Sequence, residues 1–159
     1  MDQPVFSHLD ASGRVHMVDV GEKSITRRIA VAKSRIKMAK NAAEAVKKSE
    51  ISKGDVLTVA RIAGIQAAKQ TSQLIPLCHL LPLEQVQLDA EWIGECVLEW
   101  RAEVHVSGKT GVEMEAMVAA SMAALTVYDM CKALDRAMEI THVGLWLKDG
   151  GASGLYVKN

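Results

Sequence analysis

Four charged side chains lie near the two ends of one very apolar segment, and their chemistry suits proton transfer. The segment covers residues 109–134, with Glu113 and Glu115 near its start and Asp129 and Lys132 near its end. Asp129 and Lys132 are three positions apart, so on a helix they share a face and can pair. Carboxylates and amines placed in this way can act as general acids and bases.

The two glutamates differ in how well a structural role explains them. Thr110 and Glu113 fit the Thr-x-x-Glu capping box, which predicts a helix starting at Gly111 and a Glu113 side chain bound to backbone N–H groups. Glu115 has no comparable role, because the helix dipole favours a first-turn carboxylate only weakly. Glu115 is therefore the stronger functional candidate of the two.

The spacing along this helix predicts an oligomer. Glu115 and Asp129 are about 14 residues apart, or roughly 21 Å along a helix axis at 1.5 Å per residue. One copy cannot easily bring both carboxylates to a single small molecule. Between them the segment is mostly Ala, Met, Val and Leu, and a helix apolar on all sides is buried on all sides. We expect it to lie in an interface, with its charged ends lining sites built from two subunits.

Further candidates lie outside this helix, and each has a plain alternative. Lys53 lies on a Gly turn and suits an ordinary surface lysine, while Lys69 lies late on a predicted helix, where the dipole favours a cation. His79 has apolar neighbours, as a hydrogen-bonded core histidine often does. Cys78 suits a small apolar filler, because adjacent side chains of an extended segment point to opposite faces and a direct Cys–His pair is not expected.

The whole set of candidates indicates an anionic ligand. Arg27 and Arg28 add cations, and the glycine-rich tail can surround an anion with backbone N–H groups. No set of metal ligands is evident, and no cofactor is indicated. The inventory suits acid–base chemistry on a phosphate-bearing small molecule. Two other interpretations stay open: a nucleotide-binding oligomer without catalysis, and a Cys–His metal site, which the wide ligand spacing disfavours.

The elements that must position these residues predict an α+β fold. Residues 25–36 suit a strand or the start of a helix, residues 37–48 a helix, and Asp55 the N-cap of a second helix that Pro76 ends. Residues 96–106 alternate as a half-buried strand, with shorter strands at 85–90 and 138–147. A small antiparallel sheet with helices on one face follows.

Composition restricts the class of protein. The chain has 159 residues and a formal net charge of zero, which argues against a general nucleic-acid binder. Its three cysteines form no C-x-x-C pair, and this usage suits a reducing cytoplasm. No signal peptide is evident, and the longest apolar stretch, residues 116–127, is too short to span a membrane. We expect one domain, residues 1–159, with residues 1–13 and the C-terminal tail flexible.

Several blocks of the sequence resemble the cyclic pyranopterin monophosphate synthases of molybdenum cofactor biosynthesis, the MoaC family. The matching blocks are HMVDV, KGDVLTVARIAGIQAAK, IPLCH, TGVEMEA, ALTVYDMCKA and GGASG. The resemblance implies a ferredoxin-like fold and a homohexamer, a trimer of dimers with active sites at the dimer interface. It implies conversion of a cyclised dihydro-GTP, (8S)-3',8-cyclo-7,8-dihydroguanosine 5'-triphosphate, to cyclic pyranopterin monophosphate and diphosphate.

The same resemblance assigns roles to individual residues. It implies that Asp129, Lys132 and Lys53 are catalytic. The residues that it implies bind the substrate are Leu77, Cys78, His79, Glu113, Met114, Glu115, Lys69, Lys148 and Arg27. This chain departs from the family pattern at Leu80, where a proline is usual, and in the tail. There Asp149 and Ala152 replace a serine and a lysine, so the loop is less cationic.

Overall fold

The sequence did not decide whether residues 25–36 form a strand or the start of a helix. In the structure they form most of the strand β1, Thr26–Lys37. In this computed structural model, which describes residues 8–9 and 12–158, β1 pairs antiparallel with a strand on each side. The described sheet has the order β2-β3-β1-β4-β5, and its other strands are β2 Gln85–Ile93, β3 Val97–Gly108, β4 Glu139–Asp149 and β5 Tyr156–Val157. The described helices are α1 Lys40–Lys47, α2 Val56–Lys69, α3 Thr71–Leu74 and α4 Glu113–Cys131.

This topology confirms the predicted fold class. The chain has the split βαβ arrangement of ferredoxin-like folds. It forms a first strand, a helical segment, a hairpin, a long helix and a last strand that pairs beside the first. The short β5 extends the sheet from the glycine-rich tail. Most of the predicted flexible N-terminus, residues 1–13, lies outside the described residues.

One face of the sheet packs against the helices. The alternation predicted for β3 holds, because Leu98, Trp100 and Val104 are fully buried in the core. On β1 the Ser34 hydroxyl faces the same way and donates a hydrogen bond of 2.7 Å to the Ala120 carbonyl oxygen of α4. Alternate residues on the other face are polar, as in the ion pair of 2.8 Å between Lys33 and Glu99.

Small residues let α2 and α4 approach closely. A Cβ atom added at Gly64 of α2 would lie 2.8 Å from the Ala119 carbonyl oxygen of α4 and would overlap the Leu88 side chain. Asp55 caps α2 as predicted, because its side chain accepts a hydrogen bond from the Thr58 backbone N–H. The cap stabilises the first turn of α2, and the close approach at Gly64 fixes the helix beside α4.

The capping box predicted for α4 is wrong. The helix begins at Glu113, its N-cap is Val112, and no side chain caps it. The Glu113 carboxylate instead lies 3.1 Å from the Lys148 ammonium group of β4. A full positive charge on the neighbouring strand is a stronger partner for a carboxylate than a backbone N–H group. Within the described residues, no helix combines the length and apolar character needed to cross a membrane.

Candidate active site

A cavity of about 390 Å³ opens beside the first turn of α4, and most of the predicted substrate-binding residues border it. We refer to it as the α4 N-terminal cavity. Its lining residues are His8, Val18, Val20, Lys23, Leu77, Cys78, His79, Leu81, Thr110, Gly111, Glu113, Met114 and Glu115. The structure thus brings together two sequence segments, 77–79 and 113–115, that resemblance alone had placed in one site.

Glu115 is the most deeply buried charged residue of this cavity. Its side chain is only 4% exposed, and none of the described salt bridges includes it. Burial raises the pKa of Glu115 to about 7, and the negative charge of Glu113 adds to the increase. At neutral pH this carboxyl group is therefore present in both its neutral and its ionised form.

Glu113 and Lys148 connect the cavity to the glycine-rich tail. The Lys148 ammonium group lies 3.1 Å from a Glu113 carboxylate oxygen and donates a hydrogen bond of 3.0 Å to the Ser153 hydroxyl. Lys148 therefore lies between the first turn of α4 and the tail loop. An anionic ligand that entered here would compete with Glu113 for this cation.

The segment before β1 covers one side of the cavity. His79 Nε2 lies 2.9 Å from the Val18 carbonyl oxygen, so Nε2 carries the hydrogen and donates it. Lys109 also donates a hydrogen bond to the Gly21 carbonyl oxygen. The HMVDV block thus contributes Val18 to the site, although the sequence alone assigned this block no role. Its resemblance to the family was the only indication in the sequence that it belongs to the site.

Cys78 lies in the same cavity as His79, although the sequence predicted opposite faces. Burial raises the pKa of the Cys78 thiol, and the charge of Glu115 raises it further. The thiol therefore stays protonated at neutral pH. None of the described hydrogen bonds joins the Cys78 thiol to His79, whose Nε2 donates to Val18, so these two residues do not form an activated nucleophile.

A second cavity, of about 480 Å³, lies between the start of β1 and the glycine-rich tail. We refer to it as the glycine-loop cavity, and its lining residues are Lys23, Ser24, Thr26, Arg28, Gly151, Ala152 and Ser153. Lys23 borders both this cavity and the α4 N-terminal cavity, so the two adjoin. The buried Thr26 hydroxyl has no hydrogen-bond partner among the described residues.

Arg28 is held in place at the glycine-loop cavity by backbone oxygens. Its guanidinium group donates to the carbonyl oxygens of Gly108, at 3.4 Å, and Lys109, at 3.3 Å. Gly151 has a φ of +75°, and a Cβ atom there would overlap the Arg28 guanidinium group. Only glycine lets the loop approach this arginine so closely.

Three predicted binding residues lie outside the lining of these cavities: Lys148, which contacts Glu113 and Ser153, and Arg27 and Lys69. Arg27 is exposed on β1, next to the Arg28 that borders the glycine-loop cavity. Lys69 is exposed in the last turn of α2. Their roles in binding stay predictions. Arg28, which the sequence already offered as a cation beside Arg27, borders the glycine-loop cavity, and Lys23 is the cation that sequence reasoning missed.

The three predicted catalytic residues form a lysine cluster at the other end of α4. The Lys132 ammonium group donates a hydrogen bond of 2.6 Å to one Asp129 carboxylate oxygen, and Lys53 lies 3.5 Å from the other. Lys53 also donates to the Asp129 carbonyl oxygen at 2.9 Å. The hydrogen bond from Lys132 and the charges of both lysines lower the pKa of Asp129, so this carboxylate stays ionised at neutral pH.

The lysine cluster faces solvent. Asp129 is 60% exposed, and a cavity of about 420 Å³ beside it is lined by Lys53, Tyr128, Lys132, Ala133 and Arg136. Two ammonium groups gathered around one carboxylate leave a net positive charge. The cluster can therefore attract an anion as well as transfer protons.

One chain does not bring the two groups of predicted residues together. The α4 N-terminal cavity and the lysine cluster share no lining residue and lie at opposite ends of a 19-residue helix. Neither group resembles a metal site. Among residues 8–9 and 12–158, no group of three His, Cys, Asp or Glu side chains is placed to hold a metal ion.

Comparison with known proteins gives a consistent result. The sequence profile of the MoaC family matches residues 17–151. Three similar curated proteins are each named cyclic pyranopterin monophosphate synthase. The protein of Rhodopirellula baltica is 52% identical over 95% of this chain and 92% of its own length. That of Desulfitobacterium hafniense is 47% identical over 96% and 93%, and that of Dinoroseobacter shibae is 49% identical over 94% and 96%.

Proposed function

This chain belongs to the MoaC family, and on that premise we propose that it is a cyclic pyranopterin monophosphate synthase whose active site is completed by two subunits. The substrate is the cyclised dihydro-GTP, and the products are cyclic pyranopterin monophosphate and diphosphate. One observation supports a shared site: the predicted substrate-binding residues lie mostly at the start of α4, whereas the predicted catalytic residues lie at its other end. A lysine cluster from one subunit completes the α4 N-terminal cavity of its neighbour.

An apolar surface on α4 supports the association. Between the two charged ends lies a cavity of about 400 Å³ whose lining residues are Leu74, Ile75, Met114, Met117, Val118, Ser121, Met122, Leu125 and Ile140. Leu74 and Leu125 are each 50% exposed in the single chain. Contiguous exposed apolar side chains of this kind are typical of protein interfaces. The homohexamer, a trimer of dimers, is the assembly that we propose.

We propose one orientation for the substrate across the two adjoining cavities. The purine-derived ring occupies the α4 N-terminal cavity, between the 77–79 segment and Glu115. The triphosphate extends past Lys23 and Lys148 toward Arg28 and the glycine loop. Charge-assisted hydrogen bonds from these cations and from loop N–H groups hold the phosphates.

The reaction needs proton transfers at several centres, and the lysine cluster provides the groups for them. The imidazole ring of the purine opens, a pyrazine ring closes, and a ribose hydroxyl attacks the innermost phosphate while diphosphate leaves. Lys53 and Lys132 donate and accept protons, and Asp129 orients both ammonium groups through one carboxylate. The positive charge of the cluster also stabilises negative charge that develops on the phosphate oxygens.

The cellular compartment that we propose is the cytoplasm. Cys78, Cys96 and Cys131 are all free thiols in the structure. Free thiols suit a reducing compartment, and so does a substrate derived from GTP.

The test is turnover of the cyclised substrate by the Asp129→Asn variant. The variant loses the negative charge that both lysines share, although Lys53 keeps its hydrogen bond to the backbone carbonyl oxygen of residue 129, so we expect kcat to fall by about 10²-fold or more. Because Asp129 is exposed, the fold should remain, which circular dichroism checks. The matched control is Glu139→Gln, an exposed change at the start of β4, which should keep the wild-type rate.

The same assay separates the synthase from the non-catalytic alternative. A nucleotide sensor or carrier would bind the cyclised substrate and release no diphosphate. Binding without diphosphate release by the wild-type protein, or wild-type turnover by Asp129→Asn, would contradict the proposed function.

A further inference from the structure

The turn that follows α4 brings a third cation to the lysine cluster. Arg136 borders the same cavity as Lys53 and Lys132, and it is exposed to solvent in the single chain. Asp129 engages both lysines, at 3.5 Å and 2.6 Å. Three cations gathered around one carboxylate leave this cavity positively charged, so it suits a group with more than one negative charge.

Several hydrogen bonds fix the turn that places Arg136 there. We refer to residues 132–137 as the α4 C-terminal turn. The Tyr128 hydroxyl donates to the Arg136 carbonyl oxygen at 3.2 Å, and Tyr128 itself packs against the core. The two Asp135 carboxylate oxygens accept from the backbone N–H groups of Ala137, at 2.8 Å, and Ala39, at 2.7 Å. The turn is thereby tied to α4 on one side and to the N-cap of α1 on the other.

We propose, on the basis of the function proposed above, that Arg136 binds the innermost phosphate of the substrate and that Tyr128 is its positioning residue. The lysines that accept and donate protons during the attack on this phosphate border the same cavity as Arg136. The phosphate under attack therefore comes within reach of all three cations. An arginine presents two parallel N–H donors, which match two phosphate oxygens in a way that an ammonium group cannot.

The step that Arg136 assists is the closure of the cyclic phosphate. The ribose hydroxyl oxygen forms a bond to phosphorus, and its proton passes to the amine form of a lysine of the cluster. The bond from phosphorus to the bridging oxygen breaks, and diphosphate leaves with that electron pair. The guanidinium group stabilises the charge on the two non-bridging oxygens in the transition state, so its loss should lower kcat more than it raises KM.

Chemical rescue tests the role of the guanidinium group. Arg136→Ala should lower kcat for diphosphate release by about 10²-fold and change KM by less than about threefold. Millimolar guanidinium ion should restore part of this rate, because the free ion can occupy the space of the deleted group, whereas urea or sodium chloride at the same concentration should not. The control Lys48→Ala removes an exposed cation at the end of α1 and should keep the wild-type kcat.

A double-mutant cycle tests whether Tyr128 acts through Arg136. Tyr128→Phe removes only the hydroxyl group and should lower kcat by about fivefold when Arg136 is present. In the Arg136→Ala background it should have no further effect, because the group that it positions is absent. The control Tyr156→Phe changes the other tyrosine of the chain and should leave the rate unchanged.

The outcomes separate this inference from the proposed function. Wild-type kcat in Arg136→Ala, or no rescue of a folded Arg136→Ala by guanidinium, would overturn the role of Arg136 while the synthase activity of wild type stands. An equal loss from Tyr128→Phe in both backgrounds would show a general structural role and overturn the positioning role. A wild-type protein that releases no diphosphate from the cyclised substrate would contradict the proposed function, and this inference with it.

Discussion

Glu115 and Asp129 are carboxylates on the same helix, and their surroundings shift their pKa values in opposite directions. Burial raises the pKa of Glu115, whereas the hydrogen bond from Lys132 and the charge of Lys53 lower that of Asp129. Two carboxyl groups with separated pKa values can hold different protonation states at one pH. The protein can therefore present a proton-holding acid at one end of α4 and a permanent anion at the other.

The raised pKa of Glu115 predicts how stability depends on pH. Between pH 4.5 and 7 the folded chain binds this proton more tightly than the unfolded chain, so stability should decrease as the pH rises. The shift corresponds to about 3 kcal/mol, which is fully lost above pH 7. Glu115→Gln removes the buried charge, so at pH 8 the variant should be more stable than wild type. At pH 5 the two should be similar.

Urea unfolding at pH 5 and pH 8, at one protein concentration, measures this effect. The control is Glu44→Gln on the exposed face of α1, which should follow the wild-type profile. If Glu115→Gln and wild type lose the same free energy of unfolding between these pH values, Glu115 is not the buried group described here.

The close contact between α2 and α4 positions the lysine cluster, because Lys53 precedes α2 and Asp129 lies at the end of α4. α2 begins just after Lys53, and the turn at Gly54 has a φ of +98°, which glycine adopts without strain. Glu115 and Asp129 are carried by α4 itself. Any change that separates the two helices should therefore alter the lysine cluster as well as the core.

Gly64→Ala should destabilise the protein by about 1–3 kcal/mol, because the added methyl group overlaps Leu88 and the Ala119 carbonyl oxygen. Alanine otherwise favours a helix over glycine, so the predicted sign is opposite to that of helix propensity. Thermal unfolding of the variant measures the change. Gln66→Ala, at an exposed position of the same helix, should have little effect. A stabilised Gly64→Ala variant would show that the helices are farther apart than described.

The elements were predictable from sequence where local chemistry decided them. Asp55 caps α2, and the alternation of β3 gives the buried face, because both signals lie within a few residues. The capping box of α4 failed because Glu113 pairs with Lys148, a residue distant in sequence. The sequence also could not show which of Arg27 and Arg28 borders the glycine loop. Adjacent strand residues face opposite ways, and only the strand register decides which one meets the glycine loop.

At the scale of the whole molecule, a single chain holds two separate groups of candidate residues, which we propose are the two halves of a shared site. The sequence predicted this division from helix length alone, since Glu115 and Asp129 are separated by roughly 21 Å on one axis. It did not predict that the tail, β1 and the segment before β1 would enclose the adjoining glycine-loop cavity. That arrangement depends on strand pairing between distant parts of the chain.

Subunit complementation tests the shared site most directly. Asp129→Ala removes the lysine cluster's carboxylate, and Lys148→Ala removes a cation beside the α4 N-terminal cavity. Each variant alone should release almost no diphosphate from the cyclised substrate. In a dimer of one Asp129→Ala subunit and one Lys148→Ala subunit, one of the two sites contains both Asp129 and Lys148, and the other contains neither. After dissociation and random reassembly of equal amounts, we predict recovery of about a quarter of the wild-type rate. Mixed oligomers, verified by mass spectrometry, that stay as inactive as the separate variants would contradict a site built from two subunits.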